Sequence, residues 1–130
     1  MRIGAARTLI NGVNIAHSQT YYTEAVPVGI HGINIGIQVK GVSSAGSPKF
    51  TVSYEQSNFE PAVLTAGGAS DANYVPPEGA VNVCTDRILE TYMITSVSVP
   101  PAKYFRWKIT TAADSNDDSV FTLIHFGQEE

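Results

Sequence analysis

The run Ile33-Asn34-Ile35-Gly36-Ile37-Gln38-Val39-Lys40 decides the fold class. Four β-branched side chains fall at alternate positions, and Asn34, Gly36, Gln38 and Lys40 stand between them. Successive side chains of a strand point to opposite faces, so a period of two gives this segment one dry face and one wet face. Phe50-Thr51-Val52-Ser53-Tyr54-Glu55 repeats the pattern, with Phe50, Val52 and Tyr54 turned inward. The turn-rich Ser43-Ser44-Ala45-Gly46-Ser47-Pro48 lies between the two runs and predicts a hairpin with a long loop.

The same period extends outward from this pair. Ile94, Ser96 and Ser98 alternate with Thr95, Val97 and Val99, and Pro100-Pro101 ends that strand because proline cannot donate to a ladder. In Tyr104-Phe105-Arg106-Trp107-Lys108-Ile109-Thr110 the apolar face is Phe105, Trp107 and Ile109, and the other is Tyr104, Arg106 and Lys108. A polar loop follows, and Val120-Phe121-Thr122-Leu123-Ile124-His125-Phe126 closes the chain with a last strand. Near the N-terminus, Leu9-Ile10 and Val13-Asn14-Ile15 flank Asn11-Gly12, a two-residue hairpin signal. Residues 21–28 read as a further strand, with Pro27 marking an edge or a bend. The pattern fades between 57 and 79, and residues 87–92 read as the entry to the strand after them, with a short helical turn as the alternative.

Composition agrees. Val 13 and Ile 11 outnumber Leu 4, and β-branched side chains suit a pleated sheet better than a helix. About seven or eight short strands with no long helical pattern predict an all-β, antiparallel two-sheet β-sandwich, jelly-roll-like, with a closed β-barrel as the alternative. The 130 residues make a single domain. Residues 1–16, which combine Arg2 and Arg7 with Ile3, Leu9 and Ile10, form either its first strand or an extended N-terminal arm.

Charge excludes some functions. The net charge of −4, with only 15% charged residues, leaves no footprint for a phosphate backbone, so nucleic acid is not an expected partner. No run approaches the roughly 18 apolar residues of a membrane helix, and the opening stretch is broken by Arg7 before it reaches the length of a signal peptide's apolar core. The single Cys84 cannot form an internal disulfide, and its β-like surroundings read as a small buried hydrophobe.

Catalytic and metal-binding constellations are not evident. His17, His31 and His125 are far apart in sequence and have no His or Cys at metal-ligand spacing. His125 alternates with Ile124 and Phe126 and reads as a sheet-surface or core-rim residue, and His31 lies in a Gly-flanked turn. No Gly-x-Ser-x-Gly elbow marks a nucleophile. Residues 114–118, Asp-Ser-Asn-Asp-Asp, open like a calcium loop, but Ser119 stands where an EF-hand needs Gly and His125 where it needs Glu. They read as a solvated hairpin loop, with a looser calcium site as the alternative. Tyr104, Arg106 and Lys108 form either a sugar-stacking row or an outer face of snorkelling side chains. Tyr21, Tyr22 and Tyr74, in loop-like regions, are candidate contact points. The expectation is a protein without catalytic, cofactor-binding or metal-binding residues, and not an enzyme.

Phe50-Thr51-Val52-Ser53-Tyr54-Glu55-Gln56-Ser57-Asn58-Phe59, the proline-led Ser98-Val99-Pro100-Pro101-Ala102-Lys103-Tyr104-Phe105-Arg106-Trp107-Lys108-Ile109-Thr110, the polar loop and the closing strand together resemble the small β-sandwich structural proteins of tailed bacteriophages, including capsid decoration proteins. The resemblance covers residues 33–126; the segment after Ser57-Asn58 departs from it, lacking the Asp-Gly corner. It implies a capsid decoration or cementing protein made in the host cytoplasm and carried on the virion. Its partners would be the major capsid protein or another virion protein and further copies of itself, as a homo-oligomer with a trimer as the implied form. A tail or neck component is the close variant. The same strand pair resembles discoidin-like galactose-binding sandwiches, which imply a carbohydrate-binding module for host attachment.

Overall fold

A computed structural model describes residues 2–3, 6–16, 18–43, 49–59, 74–76, 82–112 and 119–129. The described residues form ten strands: β1 (Arg2–Ile3), β2 (Arg7–Asn14), β3 (Thr20–Tyr22), β4 (Val26–Gly29), β5 (Ile33–Ser43), β6 (Lys49–Ser57), β7 (Cys84–Ile88), β8 (Thr91–Val99), β9 (Ala102–Thr111) and β10 (Ser119–Glu129). One sheet has the order β2-β10-β5-β8, with β1 continuing the β2 edge along the far end of β10. The other has the order β3-β9-β6-β7, with β4 continuing the β3 edge along β9. All pairings are antiparallel. Counting each broken edge as one strand, this is an eight-strand jelly roll. The sheets do not close into a barrel, and residues 2–3 and 7–14 pair in the sheet as its first strands instead of extending as an arm.

Most strand positions match the sequence pattern, but 21–28 splits into β3 and β4, residues 87–92 hold the bend at 89–90 between β7 and β8, and the partners differ. The hairpin expected from 33–40 and 50–55 is absent: β5 pairs with β10 and β8, whereas β6 pairs with β9 and β7. The turn-rich segment between them therefore carries the chain from one sheet to the other. β9 and β10 likewise belong to different sheets and do not pair as a hairpin; residues 114–118 lie outside the described ones. Alternation fixes which face is buried; it says nothing about which neighbour completes the ladder.

Asn11-Gly12 is likewise not a turn. It lies inside β2, where Val13 faces Phe121 and Asn11 faces Thr122, leaving Gly12 as the extra residue of a bulge. Gly12 has φ 63, and its amide donates to Thr122 Oγ1 at 3.2 Å. The backbone freedom that favours Gly in a two-residue turn also serves a bulge. A second shift in β2 lets the successive residues Leu9 and Ile10 both enter the core. In β8 a bulge opposite Gly36 switches the phase, so Tyr92 and Ile94 and then Val97 and Val99 pack inward, where strict alternation would have separated Ile94 from Val97.

The core lies between the sheets. Trp107, Phe105, Ile109, Phe50, Val52, Ile37, Val39, Phe121 and Leu123 are fully buried. Phe50 of β6 meets Phe121 of β10 edge-on at 5.3 Å, and Trp107 packs against Phe105 at 5.4 Å and Tyr54 at 5.9 Å. Where the β3–β4 edge breaks, the Thr23 amide donates to the Trp107 carbonyl at 2.9 Å. The Trp107 amide donates to Thr23 Oγ1 at 2.9 Å. A hydroxyl thus takes the place of a ladder carbonyl and keeps the buried backbone satisfied.

Gly36 faces outward opposite Phe126. A Cβ there would come within 2.6 Å of Phe126 Cζ and 2.7 Å of the Ile94 carbonyl oxygen. The phenyl ring thus occupies the space a side chain would take, the cross-strand covering of glycine seen in other sheets. Gly36→Ala is expected to lower stability by roughly 1–3 kcal/mol, the usual cost of overpacking, read as a lower urea midpoint.

Candidate assembly surface

The outward faces of the two sheets differ in chemistry. On β10 the outward row is Val120, Thr122, Ile124 and Phe126; on β5 it is Asn34, Gly36, Gln38, Lys40 and Val42. On β8, Thr91, Met93 and Ser98 share that face through their pairing with Lys40, Gln38 and Asn34. Lys40 is the one charge in these three rows. Val42 is 51% and Met93 59% exposed. Ile124, Gln38 and Met93 form one line across the sheet, and Val120 and Val42 another. The outer side is wet along most of β5 but not along β10, whose even-numbered residues are as apolar as its odd ones, so that strand is apolar on both faces. That signal was present in Val120, Ile124 and Phe126.

The outward rows of β6 and β9 carry Lys49, Glu55, Arg106 and Lys108. Here the snorkelling face expected for Tyr104, Arg106 and Lys108 is corrected. Arg106 is buried, with Nη2 3.0 Å from Glu55 Oε1 and Nε donating to the same oxygen at 3.2 Å. Its guanidinium is stacked between Tyr22, 3.9 Å from the ring centre, and Tyr74, 4.4 Å away. A planar cation can face aromatic rings on both sides while its edge binds a carboxylate. Tyr74 is held there because Val75 exchanges two backbone hydrogen bonds with Gln56, at 2.8 and 3.0 Å. Tyr22 belongs to β3 and Tyr74 is buried, so neither is a free loop contact. Glu55, the partner of Arg106, was not singled out by the sequence, because its role appears only once β6 and β9 are in register.

At one end of the sandwich the β4–β5 turn projects Ile30, which is 84% exposed. Gly29 and Gly32, with φ 107 and 71, allow its tight path. His31 is exposed on the same turn. Two grooves of about 640 and 630 Å³ flank the turn. His31, Asn34 and Pro100 border the first; Asn58, Pro101, Lys103 and Tyr104 border the second.

The remaining candidates are structural. Cys84 is buried, and desolvation pushes its thiol above the usual range, so it is held as the neutral thiol. Tyr21 packs against the core. Among the described residues, no group of three or more His, Cys, Asp or Glu converges. His17 and residues 114–118 lie outside the described residues.

His125 sits at the core rim, as alternation suggested. Its ring lies against Phe105 and Trp107, and its Nδ1 accepts a hydrogen bond from Trp107 Nε1 at 3.3 Å. Burial, reinforced by the nearby positive charge of Arg7, holds its pKa below the usual 6.5. Arg7 itself ties this sheet to the other through Glu24 at 2.7 Å. Because the unfolded chain binds the proton more readily, His125 contributes stability that is complete above the unfolded value near 6.5 and is lost as the pH falls below it. Melting temperature is expected to fall between about pH 7.5 and pH 5.5, and His125→Asn is expected to flatten that slope.

The sequence matches no protein-family model. No curated protein is significantly similar to it. Its fold resembles solved virus structures. The crystal structure of the infectious bursal disease virus VP2 subviral particle matches with a TM-score of 0.62 at 13% identity, over 98% of this chain. The structure of the infectious bursal disease virus Gt strain matches with a TM-score of 0.60 at 11% identity, over 96% of this chain. This chain spans about a third of the length of those proteins, 32% and 31% respectively. At such identities the likeness is one of fold.

Proposed function

We propose that this chain is a non-enzymatic structural protein of a virion, and more specifically a decoration or cementing protein of a phage head that binds the outer shell. The observation that carries the reading is the partly apolar outer face of the β2-β10-β5-β8 sheet, with Lys40 the one charge in its β10, β5 and β8 rows, on a jelly roll that overlays proteins of virus particles over 96–98% of its length. An exposed apolar patch marks a protein contact more often than a catalytic surface. The outer face of the other sheet, which carries the exposed Lys49 and the half-buried Lys108, suits the solvent side. The major capsid protein is the proposed partner, and a tail or neck position is the close variant.

Co-sedimentation of the purified chain with particles that lack it tests the reading. Wild-type protein is expected to pellet with the particles, and Ile124→Glu, which places a charge at the centre of the neutral face, is expected to stay in solution with an unchanged circular dichroism spectrum. Failure of the wild-type chain to pellet with any particle fraction contradicts the proposal.

A second reading, a sugar-binding host-attachment module, is favoured by the groove that Tyr104, Asn58 and Lys103 border. The Lys103 ammonium lies 6.0 Å over the Tyr104 ring, where a sugar would have to stack. Glycan-array binding that is lost in Tyr104→Ala would favour this reading over the first.

A further inference from the structure

Of the four sheet edges, three carry features that discourage pairing with another chain. The β1–β2 edge is broken, bulged twice and starts its longer segment with Arg7. The β3–β4 edge is interrupted at residues 23–25 and contains Pro27. β7 is short, and it carries Asp86 at φ 47 and Arg87. Such breaks, charges and prolines are the usual means of blunting an edge. β8 is different. Its nine residues, Thr-Tyr-Met-Ile-Thr-Ser-Val-Ser-Val, contain no charge and no proline, and among the described residues no strand pairs with its far side. One bulge is its only irregularity. Thr91, Met93, Thr95 and Ser98 are exposed along it.

We propose that β8 pairs antiparallel with β8 of a second copy, so that two sandwiches form a continuous sheet across a two-fold axis. The choice of a second copy follows from charge. An uncharged strand can meet itself in any antiparallel register without opposing like charges, whereas β7 is restricted to registers that set Asp86 against the other copy's Arg87. Continuity supports it as well. Met93 belongs both to the edge and to the neutral outer face, so joining two β8 strands fuses two such faces into one platform. A two-fold contact of this kind is isologous and closes at the dimer, in place of the trimer that the phage resemblance implies. The inference does not depend on the virion reading, since it concerns only this chain with itself.

Sedimentation equilibrium of the purified chain at micromolar concentration tests it. Wild-type protein is expected at twice the chain mass. Thr95→Lys, an exposed edge substitution, is expected at the monomer mass with an unchanged circular dichroism spectrum. Thr95→Cys is expected to form an oxidised covalent dimer, whereas Thr8→Cys on the opposite edge is not. A monomeric wild type, a trimer, or a dimer that persists in both Thr95→Lys and Met93→Lys overturns the proposal.

Discussion

Replacing Trp107 by alanine is expected to lower stability by roughly 3–5 kcal/mol, the cost of removing a large aromatic side chain from a closed core. Its indole is fully buried between the sheets and touches Tyr54, Phe105 and His125. Truncation removes that apolar contact, leaves a cavity that sheets pinned by their ladders cannot close, and takes away the donor at His125 Nδ1. Trp107→Phe should lose less, because it keeps most of the contact and forfeits chiefly the hydrogen bond. Urea unfolding measures both. A loss below about 1 kcal/mol for Trp107→Ala would mean that the indole does not anchor the core.

The second large effect is at the Arg106–Glu55 pair. The two side chains are only 4% and 12% exposed. Arg106→Ala is expected to cost roughly 3–5 kcal/mol, mostly because it leaves the Glu55 carboxylate poorly solvated and without its cation. Removing both partners, in Arg106→Ala with Glu55→Ala, should recover part of that loss, since no uncompensated charge remains. Arg106→Lys should not rescue: an ammonium cannot hold Oε1 with two nitrogens while lying flat between Tyr22 and Tyr74. The same substitution should loosen Tyr74, so the Gln56 and Val75 amides, which bond each other's residues across the bridge, should exchange faster with solvent.

The contrast between the two sites shows where the sequence was informative. Trp107 was legible as core because Phe105, Trp107 and Ile109 alternate with polar residues, and period two fixes a face. Arg106 was legible only as outward. Its burial depends on Tyr74, which arrives from the long segment between β6 and β7 and carries no periodicity of its own. Pairing was harder still. The residues between β5 and β6 read as a hairpin loop because turn composition reports that the chain reverses, without reporting whether it reverses within a sheet or across the core. Asn11-Gly12 misled for a related reason, since Gly at positive φ serves a bulge and a turn equally well. The phase switch in β8 was invisible because an extra residue in a strand leaves no compositional mark.

The candidate surface was half legible. Val120, Ile124 and Phe126 are plainly apolar, but their meaning depends on lying beside Val42 and Met93, a neighbourhood that only the order β10-β5-β8 creates. The likeness to virus particle proteins was legible in part: the strand runs resemble virion β-sandwiches of tailed phages, whereas the fold matches infectious bursal disease virus structures at only 11–13% identity. A jelly roll asks each strand for an apolar face, which many unrelated sequences supply.

Quantitative mass spectrometry of purified particles tests the virion assignment most directly. The account predicts this chain in many copies, at a fixed ratio to the main shell protein, surviving repeated density-gradient purification. Its absence from the particles, or a copy number near one, would contradict it.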